Sequence, residues 1–245
     1  ARELRQRRFD AAILLQNAIE AAVIARLAGI PVRAGYDTDA RGPLLTHPVK
    51  LNPSMKTVHQ SLYYLGMLEA LGFEPSGTSV SIVPTEEQQR AAGRHLAEWG
   101  IAGHRPIVGM APGAAYGPAK RWFPERFAAV ADRLAERFAC PVLLFGSAGD
   151  RPSTEAVQAA AKTALVDIAG RTSLGDAIAL IARCDLFVTN DSGLMHVAGA
   201  LGVPTVAVFG STNPKTTYPL GERTVLIRRP VDCSPCLKPE CSTDF

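Results

Sequence analysis

The residues with the clearest chemical potential lie in one loop near the middle of the chain. The loop begins with small or aromatic residues: Gly113, Ala114, Ala115 and Tyr116. Small residues let backbone N–H groups approach an anion, and the start of a helix predicted near Phe123 favours negative charge. Lys120 adds a mobile point charge and Arg121 a planar fork of donors. The loop therefore has the composition of a diphosphate site without Walker A spacing. The alternative is a Gly/Pro turn with a solvated Lys-Arg pair.

Two further polar segments follow predicted strands. Asp150 ends the sequence GSAGD, where a carboxylate can accept hydrogen bonds from ribose hydroxyls or can cap the next helix. Residues 210–217 (GSTNPKTT) are rich in hydroxyl groups, which suits either phosphate oxygens or a solvated loop. Because ligands bind at the carboxyl ends of strands in such domains, both segments are candidate parts of one site.

A third polar segment, NDSGLMH at residues 190–196, follows a later strand. Asp191 stands at the tip of this apolar strand, and Gly193 permits close approach to a helix start that attracts anions. In the structural alternative, Asp191 or Ser192 caps the helix and His196 is packed in the core. A second helix start suited to anions lies at the same sheet edge as the first, which favours a ligand-binding role over the structural alternative.

Two other patterns resemble metal sites. Asp37-Thr38-Asp39 matches the D-x-D of metal-dependent sugar transferases, but so short a pattern is common by chance and we interpret it as a loop. The last three cysteines form C-x2-C-x4-C: Cys233, Cys236 and Cys241. Zinc needs a fourth ligand, for which Asp232, Asp244 or a residue beyond Phe245 is available. We favour a cysteine-rich surface loop and predict neither metal nor other cofactor, because the basic loop and two helix starts can neutralise a diphosphate.

The first part of the chain predicts a strand–helix–strand unit followed by a loop and a helix. The segments are, in that order, Phe9–Gln16, Ala18–Leu27, Ile30–Tyr36, Arg41–Pro53 and Thr57–Gly72. Ser79–Val83 is predicted to be a strand, and Thr85 to Gln88 fits a capping box that opens a helix. We place the domain boundary near Pro84, so the predicted domains are residues 1–84 and 85–245.

From Arg105 onward, apolar strands and amphipathic helices alternate regularly. The predicted strands are Pro106–Ala111, Pro141–Gly146, Leu165–Ile168, Leu186–Thr189, Thr205–Phe209 and Thr224–Arg228. The predicted helices are Pro124–Phe138, Ser153–Lys162, Leu174–Arg183 and Leu194–Leu201. Continuous apolar strands are typical of a parallel sheet buried on both faces. The sequence therefore predicts a doubly wound α/β domain.

Composition excludes several classes of protein. The 245 residues are 47% hydrophobic and 20% charged, as in ordinary globular proteins, and no apolar run is long enough to span a bilayer. Ala1–Arg8, with four Arg and one Glu, accounts for the whole net charge of +3, so we predict no nucleic-acid partner. Five cysteines, two of them within apolar segments, indicate reduced cytosolic thiols.

Several segments together resemble one enzyme family, the ADP-heptose:lipopolysaccharide heptosyltransferases of glycosyltransferase family 9. They are GAAYGPAKRWFPERF, FGSAGD, AGRTSL, NDSGLMHVAGALGVPTVAVFGSTNP, CSPCLKPEC and, near the start, RFDAAILLQNAIEAAVIARLAGIPVRAGY. The cysteine tail and the GPAKRW loop look most like the heptosyltransferase II branch. The resemblance covers essentially the whole chain.

The resemblance implies a GT-B fold with two Rossmann-like domains and an inverting, metal-independent transfer of heptose. The C-terminal domain would bind ADP-L-glycero-D-manno-heptose. The N-terminal domain, incomplete in this chain, would bind the lipid A-core oligosaccharide acceptor. The implied location is cytoplasmic, at the inner face of the inner membrane of a Gram-negative bacterium, with peripheral membrane contact.

The resemblance also implies roles for individual residues. Lys120 and the backbone of Ala114 and Ala115 would hold the diphosphate, and Asp191 would contact the heptose hydroxyls. The remaining positions would surround the donor: Asp150 at the ribose, Thr172 near the adenine, Ser192, Gly193 and Leu194 at the phosphates by their backbone, and His196 in support. Family members carry a catalytic Asp in a G-D motif after their first strand. No such segment precedes Phe9, so we expect the general base to lie outside this chain.

Three alternatives compete with heptose transfer: a GT-B enzyme with another sugar donor, a nucleotide-sugar 2-epimerase, and a nucleotide-binding fragment without catalysis. A dehydrogenase is disfavoured, because no G-x-G-x-x-G follows a strand and opens a helix. The nucleotide and sugar that the protein binds distinguish the first two alternatives. A missing base would produce the third.

Overall fold

The structure is a computed structural model that describes residues 1–243. The chain forms two compact units, Ala1–Thr78 and Ser79–Phe245. Each unit contains one sheet in which all paired strands are parallel, so the predicted α/β class is confirmed. Among the described residues, no helix has both the length and the apolar character needed to cross a membrane.

The first unit is a three-stranded parallel sheet with flanking helices. Its elements are α1 (Arg2–Gln6), β1 (Ala11–Leu14), α2 (Ile19–Leu27), β2 (Val32–Tyr36), β3 (His47–Val49) and α3 (Gln60–Ala70). The sheet order is β1-β2-β3. The predicted strand–helix–strand unit is confirmed, with shorter strands.

Two predictions in this region are wrong. The proline-rich segment Arg41–Pro53, predicted to be a loop, contains β3, which pairs with β2 through Pro48 opposite Gly35. Proline is tolerated there because β3 is an edge strand of the described sheet and has a neighbour on one side only. Ser79–Val83, predicted to be a strand, forms none. The apolar residues Val80 and Val83 are 50% and 82% exposed, so this segment lacks the burial expected of a strand in the sheet.

A buried arginine joins the ends of β1 and β2. Arg41 is fully buried and donates from Nε to the Tyr36 carbonyl at 2.8 Å, from Nη1 to the Gln16 carbonyl, and from Nη2 to Asn17 Oδ1 at 3.4 Å. Burial lowers the pKa of this guanidinium from its ordinary value. The planar fork holds three acceptors at once in a fixed geometry.

The second unit is a six-stranded doubly wound sheet. Its elements are α4 (Glu86–Glu98), β4 (Val108–Ala111), α5 (Pro124–Phe138), β5 (Val142–Leu144), α6 (Arg151–Ala160), β6 (Val166–Asp167), α7 (Leu174–Ile181), β7 (Leu186–Asn190), α8 (Gly193–Ala200), β8 (Thr205–Phe209), α9 (Pro214–Thr217) and β9 (Thr224–Arg228). All predicted strands and helices after Arg105 are present, with ends shifted by a few residues. The capping box at Thr85 and Gln88 is also confirmed.

The sheet of the second unit is buried on both faces. Successive residues of β5 point to opposite sides, so that Leu143 joins one apolar cluster while Val142 and Leu144 join the other. The first cluster contains residues of α4, α7 and α8, and the second contains residues of α5 and α6. Burial from both sides explains why these strands are continuously apolar, and it fixes the strand ends that carry the polar loops.

Two of the cysteines are expected to resist alkylation. Cys140 and Cys184 are buried, and burial raises the pKa of both thiols, so little reactive thiolate forms near neutral pH. In the tail, Cys233 and Cys241 are exposed and Cys236 is half-buried. Iodoacetamide at pH 8, followed by peptide mass spectrometry, should label the tail cysteines first. Unfolding in guanidinium chloride should make all five react. Early labelling of Cys140 or Cys184 in the folded protein would contradict this account.

Candidate active site

The strand order creates a crevice in the second unit. The sheet order is β6-β5-β4-β7-β8-β9, so the chain moves outward from β4 to one edge and then returns to build the other side from β7. The helices that follow β4 and β7, α5 and α8, contribute to the clusters on opposite faces. A doubly wound sheet opens to ligands at such a switch point, outside the carboxyl ends of its strands.

Three loops converge on one carboxylate at this point. Lys120, from the loop after β4, places its Nζ 2.7 Å from Oδ2 of Asp191, which directly follows β7. Thr212, from the loop after β8, donates its hydroxyl to the same Oδ2 at 2.5 Å. The side chains of Asp191 and Lys120 are only 4% and 16% exposed, so water screens their attraction weakly. The Asp191 carboxylate is thus engaged by Lys120 and Thr212 rather than acting as a helix cap.

The start of α8 is open next to this carboxylate. The N-cap residue is Ser192, whose hydroxyl lies 3.3 Å from Thr189 Oγ1 instead of capping the helix. A Cβ added to Gly193 would meet no described atom within 4 Å. His196 is exposed, so the alternative of a packed core histidine does not apply. The first N–H groups of α8, near the half-buried Leu194, therefore remain available to an anion.

Other residues of the loop after β4 surround Lys120. The Tyr116 ring centroid lies 5.1 Å from Lys120 Nζ, and the exposed Arg121 donates from Nε and Nη2 to the Ala114 carbonyl at 3.3 and 3.2 Å. Arg121 thus stabilises its own loop in this structure. Ala114 is buried, whereas Ala115 is exposed.

Asp150, after β5, lies against the same loop. Its Oδ2 accepts hydrogen bonds from the Ser147 N–H at 2.9 Å and the Ser147 hydroxyl at 2.7 Å. A Cβ on Gly113 would lie 2.1 Å from Asp150 Oδ1. Asp150 occupies the N-cap position of α6, as the structural alternative predicts, but its side chain makes no cap hydrogen bond to that helix and instead belongs to a capping box of the 3-10 turn at Ala148–Asp150.

Thr172 belongs to the next loop along the sheet edge. It is half-buried and directly precedes Ser173, the N-cap of α7. A Cβ on Gly170, in the same loop, would lie 2.8 Å from the Ala148 Cα, so the loops after β5 and β6 are close neighbours. Because β6 is two strands away from β4, Thr172 is a candidate for a distal part of a ligand rather than for the Lys120 cluster.

Gly113→Ala is expected to weaken nucleotide binding at least tenfold, because the new Cβ must displace Asp150 or the loop that carries Lys120. Affinity for ADP, measured by calorimetry, is the readout. Gly93→Ala in α4 is the matched control, since a Cβ there has open space within 4 Å. Equal affinities of the two variants would show that the close approach of Gly113 to Asp150 does not matter for binding.

The C-terminal tail makes contacts in this site that the sequence does not predict. The Pro239 carbonyl accepts a hydrogen bond from the Ala119 N–H at 3.0 Å, and the Leu237 N–H donates to the Ser211 carbonyl at 2.8 Å. Tyr116 also donates to the Leu237 carbonyl at 2.6 Å. The tail therefore bridges the loops after β4 and β8, which carry Lys120 and Thr212.

Metal binding by this tail has no support from the described side chains. Within residues 1–243, no group of three or more His, Cys, Asp or Glu side chains is placed to hold a metal ion. Asp244, one candidate fourth ligand, lies outside the described residues. The D-x-D segment has other contacts: Asp39 Oδ2 accepts from the Ile19 N–H at 2.8 Å.

Comparisons with known proteins establish the family of the chain. The sequence profile of glycosyltransferase family 9 (heptosyltransferase) matches residues 1–244. Lipooligosaccharide heptosyltransferase 2 of Haemophilus influenzae is 35% identical over 234 residues, which cover 90% of this chain and 66% of that protein. The chain thus spans about two thirds of the length of the curated relatives that it matches.

Solved structures show the same relationship. "E. coli ADP-heptose lps heptosyltransferase II" has 33% identity and a TM-score of 0.79, with 92% of this chain and 70% of that chain covered. The glycosyl transferase family 9 protein of Veillonella parvula DSM 2008 has 29% identity and a TM-score of 0.82, covering 93% of this chain and 66% of that chain. These matches confirm the predicted GT-B fold type with two Rossmann-like sheets. The chain belongs to glycosyltransferase family 9.

Proposed function

We propose that this chain is part of an inverting heptosyltransferase that moves heptose from ADP-L-glycero-D-manno-heptose to the inner core of lipopolysaccharide. The observation that carries the proposal is the cluster of Lys120, Asp191 and Thr212 at the switch point of the second sheet. A nucleoside diphosphate sugar needs positive charge at its phosphates and an acceptor for its sugar hydroxyls. This cluster offers both within one crevice.

Lys120 is proposed to bind the diphosphate. Its side chain is only 16% exposed and its ammonium already lies in the crevice, so it meets an entering phosphate with little reorganisation. In the unliganded protein Asp191 compensates its charge, and in the complex Lys120 bridges the carboxylate and the phosphates. The open start of α8, through Ser192 and Gly193, adds backbone N–H donors on the other side.

Asp191 is proposed to orient the sugar. Its side chain is 4% exposed and its carboxylate is fixed by Lys120 and Thr212, so a lone pair directed at a heptose hydroxyl is held in place. Asp150 and Thr172, on the loops after β5 and β6, are proposed to border the ribose and the adenine. This order runs along the sheet edge, from the sugar at β7 to the base at β6.

The proposed reaction is an in-line displacement at the anomeric carbon. A base removes the proton of an acceptor hydroxyl, its oxygen forms the new glycosidic bond, and the bond to ADP breaks with inversion. The transition state has oxocarbenium character. Negative charge that develops on the leaving ADP is stabilised by Lys120 and the helix N-terminus. The base is not among the site residues of the second unit.

The acceptor is proposed to be the lipid A-core oligosaccharide, bound by the first unit. Because that acceptor is anchored in lipid, we propose peripheral contact with the cytoplasmic face of the inner membrane of a Gram-negative bacterium. The relatives named heptosyltransferase 2 support the heptose and the lipopolysaccharide core over the other sugar donors and the 2-epimerase. We propose no nucleic-acid partner.

Calorimetric titration with ADP, UDP and GDP, with and without EDTA, tests the proposal. We expect ADP to bind at least tenfold more tightly than UDP or GDP, with no change when EDTA is added. ADP-heptose should bind and raise the melting temperature of the protein. Preference for UDP or GDP would favour another sugar donor, and loss of ADP binding in EDTA would contradict the metal-independent site.

A further inference from the structure

Asn190 is a fully buried polar residue in the middle of the second sheet. It ends β7, which lies between β4 and β8, and its side chain has no exposed surface. A buried amide is costly unless both its N–H and its oxygen are hydrogen-bonded. The hydrogen-bond partners of Asn190 therefore indicate the role of its side chain.

Both partners belong to the loop that carries Lys120. Asn190 Nδ2 donates to the Pro112 carbonyl at 2.7 Å, and its Oδ1 accepts from the Trp122 N–H at 2.9 Å. Pro112 directly follows β4, and Trp122 packs edge-on against the buried Phe127 of α5 at 5.3 Å between ring centroids. The Asn190 side chain thus links the two ends of the loop, and residues 113–121 lie between these linked ends.

The neighbouring residue acts on the same loop close to its Trp122 end. Asp191 follows Asn190 directly and binds Lys120, two residues before Trp122. Asn190, the last residue of β7, and Asp191, which follows it, therefore both fix the loop: Asn190 closes its two ends and Asp191 binds the Lys120 ammonium. Any shift of the two ends of the loop, Pro112 and Trp122, therefore moves the Lys120 ammonium relative to Asp191.

We propose that Asn190 is a positioning residue for sugar transfer: it sets the loop so that Lys120 reaches the diphosphate. The proposal rests on the proposed function, in which Lys120 binds ADP. The carboxamide serves both contacts, because one needs a donor and the other an acceptor. Aspartate has nearly the same shape but only acceptors, so it would face the Pro112 carbonyl with an oxygen.

Asn190→Asp tests this role, with Asn52→Asp as the matched control. Asn52 uses only its oxygen in the contacts of its turn, accepting from the Ser54 N–H at 3.1 Å and the Ser54 hydroxyl at 3.0 Å, which aspartate preserves. We expect Asn190→Asp to weaken ADP binding at least tenfold, or about 1.4 kcal/mol. Asn52→Asp should change it by less than about twofold, or ~0.4 kcal/mol. Melting temperatures establish that each variant is folded at the assay temperature.

A double-mutant cycle separates positioning from a general structural role. In the Lys120→Ala background, Asn190→Asp should cost less than about twofold in ADP affinity (~0.4 kcal/mol), because its effect acts through the missing ammonium. Equal losses in both backgrounds, or no loss in the wild-type background, would overturn the proposal. If Asn190→Asp does not fold, Asn190→Gln, which keeps donor and acceptor one methylene further out, is judged by the same criteria. Failure of the wild-type protein to bind ADP would instead overturn the proposed function on which this role rests.

Discussion

Lys120→Ala is expected to lower the turnover of sugar transfer at least tenfold, about 1.4 kcal/mol or more in barrier height, and to weaken ADP binding. The variant removes the ammonium that is proposed to stabilise negative charge on the leaving diphosphate. It also leaves Asp191, which is 4% exposed, without its cation. Both effects oppose the approach of an anionic donor. The loss of turnover and of ADP affinity should therefore exceed the loss caused by replacing an exposed lysine with alanine. Turnover and ADP affinity are measured in the wild type and the variant.

Lys162→Ala is the control for this prediction, because Lys162 is an exposed lysine of the same unit. Its turnover should stay within about twofold of the wild type, as surface charges contribute little. Melting temperatures of both variants separate loss of folding from loss of chemistry, since an unpaired buried carboxylate is itself destabilising. Unchanged turnover in a folded Lys120→Ala variant would remove Lys120 from the mechanism.

Asp191→Asn is expected to reduce sugar transfer about a hundredfold, about 2.7 kcal/mol in barrier height, with a much smaller effect on ADP affinity. The amide keeps the shape of the side chain and an acceptor for the Thr212 hydroxyl. It loses the charge that orients the heptose hydroxyls and also the charge that competes with the diphosphate for Lys120. The two losses act on different parts of the donor. Comparing kcat for transfer with the calorimetric Kd for ADP separates them.

Equal losses in transfer and in ADP affinity would indicate that Asp191 supports the loop structure rather than the sugar. Thr212→Val and Thr212→Ser provide a matched pair, because only serine keeps the hydroxyl that binds Asp191 Oδ2 at 2.5 Å. Transfer should fall in the valine variant and recover in the serine variant. A loss in the serine variant with none in the valine variant would mean that the methyl group of Thr212, and not its hydrogen bond, is needed.

The sequence identified Lys120 and Asp191 as separate candidates because each follows a buried apolar strand and precedes a helix. It did not show that they meet at 2.7 Å. Their contact depends on β4 and β7 being neighbours in the sheet, which is a property of the strand order and not of either segment. Local periodicity predicts strands well and their order poorly, since residues 120 and 191 are far apart in the chain.

Thr212 and Asn190 were missed for a related reason. Thr212 lies in a polar loop whose composition fits solvent equally well, and only its contact with Asp191 distinguishes it. A signal for Asn190 was present in the sequence, because an amide at the end of an apolar strand in the sheet centre must find buried partners. The contacts of the C-terminal tail run mainly through backbone groups of Leu237 and Pro239, which side-chain patterns do not encode.

The position of the diphosphate in a crystal structure with ADP-heptose tests the central claim most directly. The account predicts a phosphate oxygen within roughly 2.7–3.2 Å of Lys120 Nζ, a normal hydrogen-bond distance, and heptose hydroxyls at the Asp191 carboxylate. A nucleotide bound with its diphosphate away from the loop after β4, and the Lys120–Asp191 pair intact without phosphate contact, would contradict it.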